Sequence, residues 1–220
     1  MHVSRYRHVK SNVNRLCPLA GLLAVSAFAA DAPVAGLLKT VEARYNRTDT
    51  LQVLFHVDYT KAGHTRVSES GMLELRKPGR MRWEYQDPKG KLAVCDGKVM
   101  WTYTPADHRA EKQPLRESED GPWAFLLGKL HFDKEFRNIQ GTPEGSDMRI
   151  TAEPKTDALP YNSVEFVVTP DGRIRQLKVT RFDNLVMGYT FDQEKLGPKL
   201  DDKLFQFQIP KGAEVVEAGK

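Results

Sequence analysis

The sequence predicts a mainly antiparallel β fold: about ten short strands in a meander, curled into a barrel or half-barrel, with two short amphipathic helices on its concave face. Three observations predict it. After residue 50, apolar residues recur at every second position through most of the chain, which gives each run one buried and one wet face. Turn residues separate the runs, at Lys61-Ala62-Gly63, Pro88-Lys89-Gly90, Asp96-Gly97 and Pro170-Asp171-Gly172. Two segments repeat at helical spacing instead.

The first element is a leader. Arg5, Arg7, Lys10 and Arg15 precede an apolar run from Leu16 to Ala30 that ends in Ala27-Phe28-Ala29, with Asp31 next. The run is short of the roughly 20 apolar residues a membrane span needs. A basic start, a short apolar run and a small-x-small site describe a secretory signal peptide over residues 1–29, with an uncleaved anchor as the alternative. Asn14-Arg15-Leu16 before Cys17 lacks the small apolar residues of a lipidation site. Of the 33 Lys and Arg, four lie in this leader, and the other 29 equal the 29 Asp and Glu. Nothing in the charge therefore points to nucleic acid as a partner. With 40% apolar and 28% charged residues, the 220-residue chain is neither a polytopic membrane protein nor disordered, and one domain over residues 30–220 is expected. Cleavage leaves Cys95 as the only cysteine, which excludes an internal disulfide and CxxC chemistry and suits a small buried hydrophobe.

Val34, Leu37, Leu38, Val41 and Tyr45 form one stripe of a helix over Pro33–Asn46. Alternation then begins in Leu51, Val53, Phe55, Val57 and Tyr59, and continues in Leu73 and Leu75 and in Met81, Trp83 and Tyr85. Leu92 and Val94 follow, then Val99, Trp101 and Tyr103. Thr104 to Gly121 is charged and aperiodic, so an exposed loop is expected there. Pro122 opens a second helix with Trp123, Leu126, Leu127 and Leu130 on one stripe. Alternation returns in Val164, Phe166 and Val168, in Leu177 and Val179, in Tyr189 and Phe191, and in Phe205, Phe207 and Ile209.

The chemistry-bearing motifs of enzymes are missing. No HExxH, GxSxG, Walker loop or GxGxxG is present, and no pair among His56, His64, His108 and His131 has metal-ligand spacing. The histidines read as solvated surface groups, and the chain as a binding protein without cofactor rather than an enzyme. The inward aromatic set, which includes Phe55, Tyr59, Trp83, Tyr85, Trp101 and Phe166, fits either an ordinary core or a hollow barrel for an apolar ligand. Periodicity does not separate the two.

Four stretches resemble the periplasmic outer-membrane lipoprotein carrier (LolA-like) family. They are Leu73-Glu74-Leu75-Arg76-Lys77-Pro78-Gly79-Arg80-Met81-Arg82-Trp83-Glu84-Tyr85, the hairpin Asp96-Gly97-Lys98-Val99-Met100-Trp101-Thr102-Tyr103, Pro122-Trp123-Ala124-Phe125-Leu126-Leu127, and Phe205-Gln206-Phe207-Gln208-Ile209-Pro210-Lys211-Gly212-Ala213. The resemblance covers essentially the whole mature length. It implies an unclosed antiparallel β-barrel of about 10–11 strands capped by a helical lid. It also implies a monomeric periplasmic carrier that takes acylated lipoproteins from an ATP-driven transporter in the inner membrane to an outer-membrane receptor. The implied acyl site comprises Leu37, Leu38 and Val41 on the first helix, Phe55, Met81, Trp83, Trp101 and Phe166 on the sheet, and Trp123, Leu126 and Leu127 on the lid. Lys77 stands where the family has an inward arginine that hydrogen-bonds the lid, so a weaker latch to residues 123–130 is expected, or else a solvated lysine beside Pro78. Two rivals come from other classes. An envelope-stress sensor of related fold would carry a second domain after the barrel, which the sequence to Lys220 does not suggest. A lipid-processing enzyme lacks its nucleophile or metal motif.

Overall fold

The computed structural model describes residues 31–115, 129–156 and 159–217. The expected signal peptide, and Trp123, Leu126 and Leu127 of the expected second helix, lie outside the described residues. Helix α1 spans Asp31–Asn46, two residues longer at its start than the sequence predicts. The first half of the sheet consists of β1 (Thr50–Lys61), β2 (His64–Arg76), β3 (Arg80–Asp87), β4 (Leu92–Asp96), β5 (Val99–Thr104) and β6 (Arg109–Pro114). After the four-residue helix α2 (Phe132–Glu135) come β7 (Phe136–Glu144), β8 (Asp147–Pro154), β9 (Tyr161–Val168), β10 (Ile174–Arg181) and β11 (Leu185–Leu196). A last short strand, β12 (Glu214–Glu217), closes the order.

All twelve strands belong to one sheet, in the order β12-β6-β5-β4-β3-β2-β1-β11-β10-β9-β8-β7. Every pairing is antiparallel except that of β12 with β6. The end strands β12 and β7 do not pair with each other, so the sheet is unclosed, as the resemblance implies. Strand β1 sits mid-sheet with its long, strictly alternating run: Phe55 faces Gly71 of β2 on one side and Phe191 of β11 on the other. Gly71 is required there. A Cβ on it would lie 2.1 Å from the Glu84 carbonyl oxygen, and without one the rings of Phe55 and Tyr85 meet beside it at 5.2 Å.

Helix α1 lies on the sheet through Val34, Leu38, Val41 and Tyr45, all buried. Two glycines let it approach. A Cβ on Gly141 of β7 would stand 2.3 Å from Val34 Cγ2, and Gly172, in the β9–β10 turn with φ +81°, lies against the α1 backbone at Thr40 and Val41.

Three expectations need correction. The segment expected as a loop from Thr104 contains β6, which buries only Ala110 and so carries no apolar period. Strands β7 and β8 are likewise absent from the expectation: β7 is an edge strand that buries only Phe136, whereas β8 does bury alternate residues, Ile150, Ala152 and Pro154. The alternation Phe205, Phe207, Ile209 is not a strand: Asp202–Phe205 forms a 3-10 turn, and an extended strap follows it. The strap covers the outer face of the sheet. Phe205 is buried beneath the Arg76 guanidinium, 5.8 Å from ring centroid to Cζ, and Phe207 stacks on Trp101 at 5.0 Å.

Candidate ligand-binding face

The inner face is set by strand register. Leu51, Leu75, Met81 and Cys95 stand in one row across β1 to β4, and Val53, Leu73, Trp83 and Ala93 in the next. The aromatic residues above them form two groups. Phe55 meets Trp83 edge-on at 4.6 Å, Trp83 lies 6.1 Å from Tyr189, and Tyr189 stacks on Phe191. On the other half, Phe166 meets Phe132 at 5.5 Å and Phe136 at 5.9 Å.

Of the residues that the sequence suggests for a ligand site, Leu38, Val41, Phe55, Met81, Trp83 and Phe166 are buried in this single core, and Leu37 packs at its margin. Trp101 does not join them. Its register partners are Val94 and Lys112, on the outer face under the strap, while its neighbour Met100 faces inward. Both faces of β4 are covered, Val94 by the strap side and Cys95 by the core, so the aromatic residue on β5 could not be assigned a side from alternation. Beneath α1 the packing is tight: a crevice lined by Tyr45, Leu51, Val53, Leu73, Ile174 and Leu177 offers about 20 Å³, room for one water. A groove of about 530 Å³ opens between α1 and the segment before β7, with Val34, Leu38, Phe132 and Ile139 as its apolar wall. That volume falls in the range of ordinary small-molecule sites, about 300–1,000 Å³.

Helix α1 is held by buried polar contacts at its C-terminal end. Arg44 donates to Glu194 Oε1 from Nε at 3.1 Å and from Nη2 at 2.7 Å. The Tyr45 hydroxyl donates to Glu194 Oε2 at 2.6 Å and accepts from the backbone N–H of Ile174 at 3.0 Å. Burial, helped by the Glu194 charge, pushes the Tyr45 phenol well above its ordinary range. Asn46 clamps Leu130 by two reciprocal bonds of 2.8 Å, and Glu42 accepts from the Phe132 N–H at 2.8 Å. Lys77 is half-buried and makes no bond to a described residue of the expected lid: its Nζ donates to the Tyr45 carbonyl, 2.7 Å away, at the end of α1. Burial lowers its pKa, opposed by Asp49.

Two polar groups were not singled out from sequence. Glu42, His131 and Asp133 bring ligand atoms within 4.8 Å of one another, so His131 is half-buried beside two carboxylates rather than a free surface group. Glu69 is buried on the inner face of β2. It was legible in principle, because it falls in phase with Leu75, Leu73 and Gly71, where a charge is out of place.

The fold and this face define a helix-capped, unclosed half-barrel binding protein. The chain belongs to the LolA family: the family model for outer membrane lipoprotein carrier protein LolA matches residues 46–208. An outer-membrane lipoprotein carrier protein of Nitrosospira multiformis is 28% identical over 178 residues, covering 79% of this chain and 83% of the relative. One from Chromobacterium violaceum is 26% identical over 205 residues, covering 91% and 97%. Among solved structures, the LolA superfamily protein NE2245 of Nitrosomonas europaea aligns with a TM-score of 0.45 at 12% identity, covering 79% of this chain and 97% of its own.

Proposed function

We propose that this protein is a periplasmic carrier that shields the acyl chains of lipoproteins between an ATP-driven transporter in the inner membrane and a receptor at the outer membrane. The observation that carries this reading is the family match over residues 46–208, which spans the unclosed sheet and its apolar inner face. The physical need is plain. Each methylene moved out of water is worth about 0.8 kcal/mol, so an acyl chain of a dozen methylenes does not cross water alone by roughly 10 kcal/mol. The inner-face residues Phe55, Met81, Trp83 and Phe166, with Leu37, Leu38 and Val41 of α1, are the side chains that would meet those acyl chains on opening. Catalysis is not part of the role.

Incubating the purified protein with a radiolabelled triacylated lipoprotein tests it. A soluble complex with intact acyl chains is expected. Released fatty acid would point to a lipid-processing enzyme, and absence of any complex would sink the carrier reading.

A further inference from the structure

The buried Glu69 does not stand alone. Lys91, at the β3–β4 turn, donates to Glu69 Oε1 at 2.5 Å, and the Tyr59 hydroxyl donates to Oε2 at 3.2 Å. Tyr189 lies beside Tyr59 with its hydroxyl donating to Met187 Sδ at 3.8 Å, and the Lys91 ammonium sits 4.5 Å from the centroid of the Tyr85 ring. The group lies on the inner face toward the β1–β2 hairpin, next to the aromatic wall of Phe55 and Trp83. A buried ion pair gains little stability over apolar residues of the same volume. Stability therefore does not explain a carboxylate, an ammonium and three phenols on a face that is otherwise apolar.

The chemistry left over is directional. Both Glu69 oxygens are engaged, and its charge is balanced by Lys91. The Tyr85 hydroxyl makes no hydrogen bond to a described residue, and the Lys91 ammonium has donors beyond the one given to Glu69. Tyr59, Tyr85 and Lys91 each remain only partly buried. The cluster thus offers spare donors without net charge. Such a site suits a neutral acceptor, whereas an anion would face the Glu69 carboxylate.

We propose that Glu69, Lys91, Tyr59, Tyr85 and Tyr189 form a headgroup subsite that hydrogen-bonds the ester carbonyl oxygens of the cargo lipid, with the Tyr85 hydroxyl as the principal donor. The proposal rests on the carrier reading and adds to it which end of the inner face receives the polar head. The test compares a synthetic diacylglyceryl-cysteine peptide with its twin in which both esters are replaced by ethers, each titrated calorimetrically into the wild type and Tyr85→Phe. The wild type should prefer the ester by about threefold to tenfold, the net worth of one such hydrogen bond. Tyr85→Phe should bind the ether twin as the wild type does and lose the preference. Should that variant not fold, Tyr85→Leu, which also removes the hydroxyl and leaves the Glu69–Lys91 pair in place, decides by the same ratio. Equal affinities for ester and ether in the wild type, or a preference retained in the variant, overturn the subsite while the carrier reading stands. If the wild type binds neither peptide, the carrier reading falls and the subsite with it.

Discussion

Replacing Tyr45 by Phe keeps the ring in its buried seat and removes one oxygen atom. That oxygen donates to Glu194 at 2.6 Å and accepts from the Ile174 N–H at 3.0 Å, so one deletion breaks a charge-assisted bond and orphans a buried backbone donor. A hydrogen bond to a charged group is worth about 1.5–3 kcal/mol, and a buried donor left unpaired costs about 1–3 kcal/mol. The two overlap in part, because Arg44 continues to satisfy the carboxylate from the other side. A net loss of about 2–4 kcal/mol follows, equal to a fall in Tm of roughly 4–16 °C for a chain of this size. Equilibrium urea unfolding followed by tryptophan fluorescence, with m compared between variant and wild type, reads it directly. A loss below about 0.5 kcal/mol would refute the reasoning, because it would mean that water satisfies Glu194 and Ile174 equally well and that α1 is held by its apolar stripe alone.

Burial holds the phenols of Tyr45, Tyr59, Tyr85 and Tyr189 above their ordinary range and pushes Tyr161 up to about 12. The folded state binds these protons more tightly than the unfolded chain, so stability is fully present below about pH 10 and is lost as the pH rises through and beyond it. Urea midpoints measured from neutral to strongly alkaline pH should be flat and then fall, and phenolate absorbance from these residues that develops before unfolding would contradict this. Lys77→Leu should loosen the end of α1 by about 1 kcal/mol, seen as faster amide exchange around Tyr45, while Lys77→Arg should stay within about 0.5 kcal/mol. Gly71→Ala should destabilise by about 1–3 kcal/mol or more, since its methyl has to push β2 away from Glu84; a midpoint equal to the wild type would show that β3 gives way freely.

The elements that bury one face and wet the other were readable from sequence, and they fix the architecture. Helix α1 and strands β1, β3, β9 and β10 carry their period, while β2 shows it only in Leu73 and Leu75 and β11 only around Tyr189 and Phe191. Strands β6, β7 and β12 escaped because an edge or near-edge strand buries too little to print a pattern: β7 is exposed or half-exposed at all positions but Phe136. Phe205 and Phe207 misled for the opposite reason. An extended chain laid on a surface also buries alternate side chains, with or without a ladder of hydrogen bonds. Trp101 followed them to the outer face. The site was legible as an apolar inner wall, but its polar parts were not. Lys77 depends on where α1 ends, and the Glu69 cluster unites residues from β1, β2, β3, β11 and the β3–β4 turn. A charge at an inward position of β2 was the one clue that the sequence held.

The central place of β1 imposes a schedule on the nascent chain. Its partner β2 is made at once, but the other side of β1 waits for β11, and Tyr45 waits for Glu194, which lies 149 residues later. At about 5–20 residues per second, synthesis leaves that gap open for roughly 7–30 s. Throughout that interval Val53, Phe55 and Val57 belong to an unprotected border, the kind of edge that recruits other strands. A holdase that keeps the first half of this protein apart until the last fifth has emerged would therefore raise its yield, and a fragment ending before Leu185 should aggregate rather than fold.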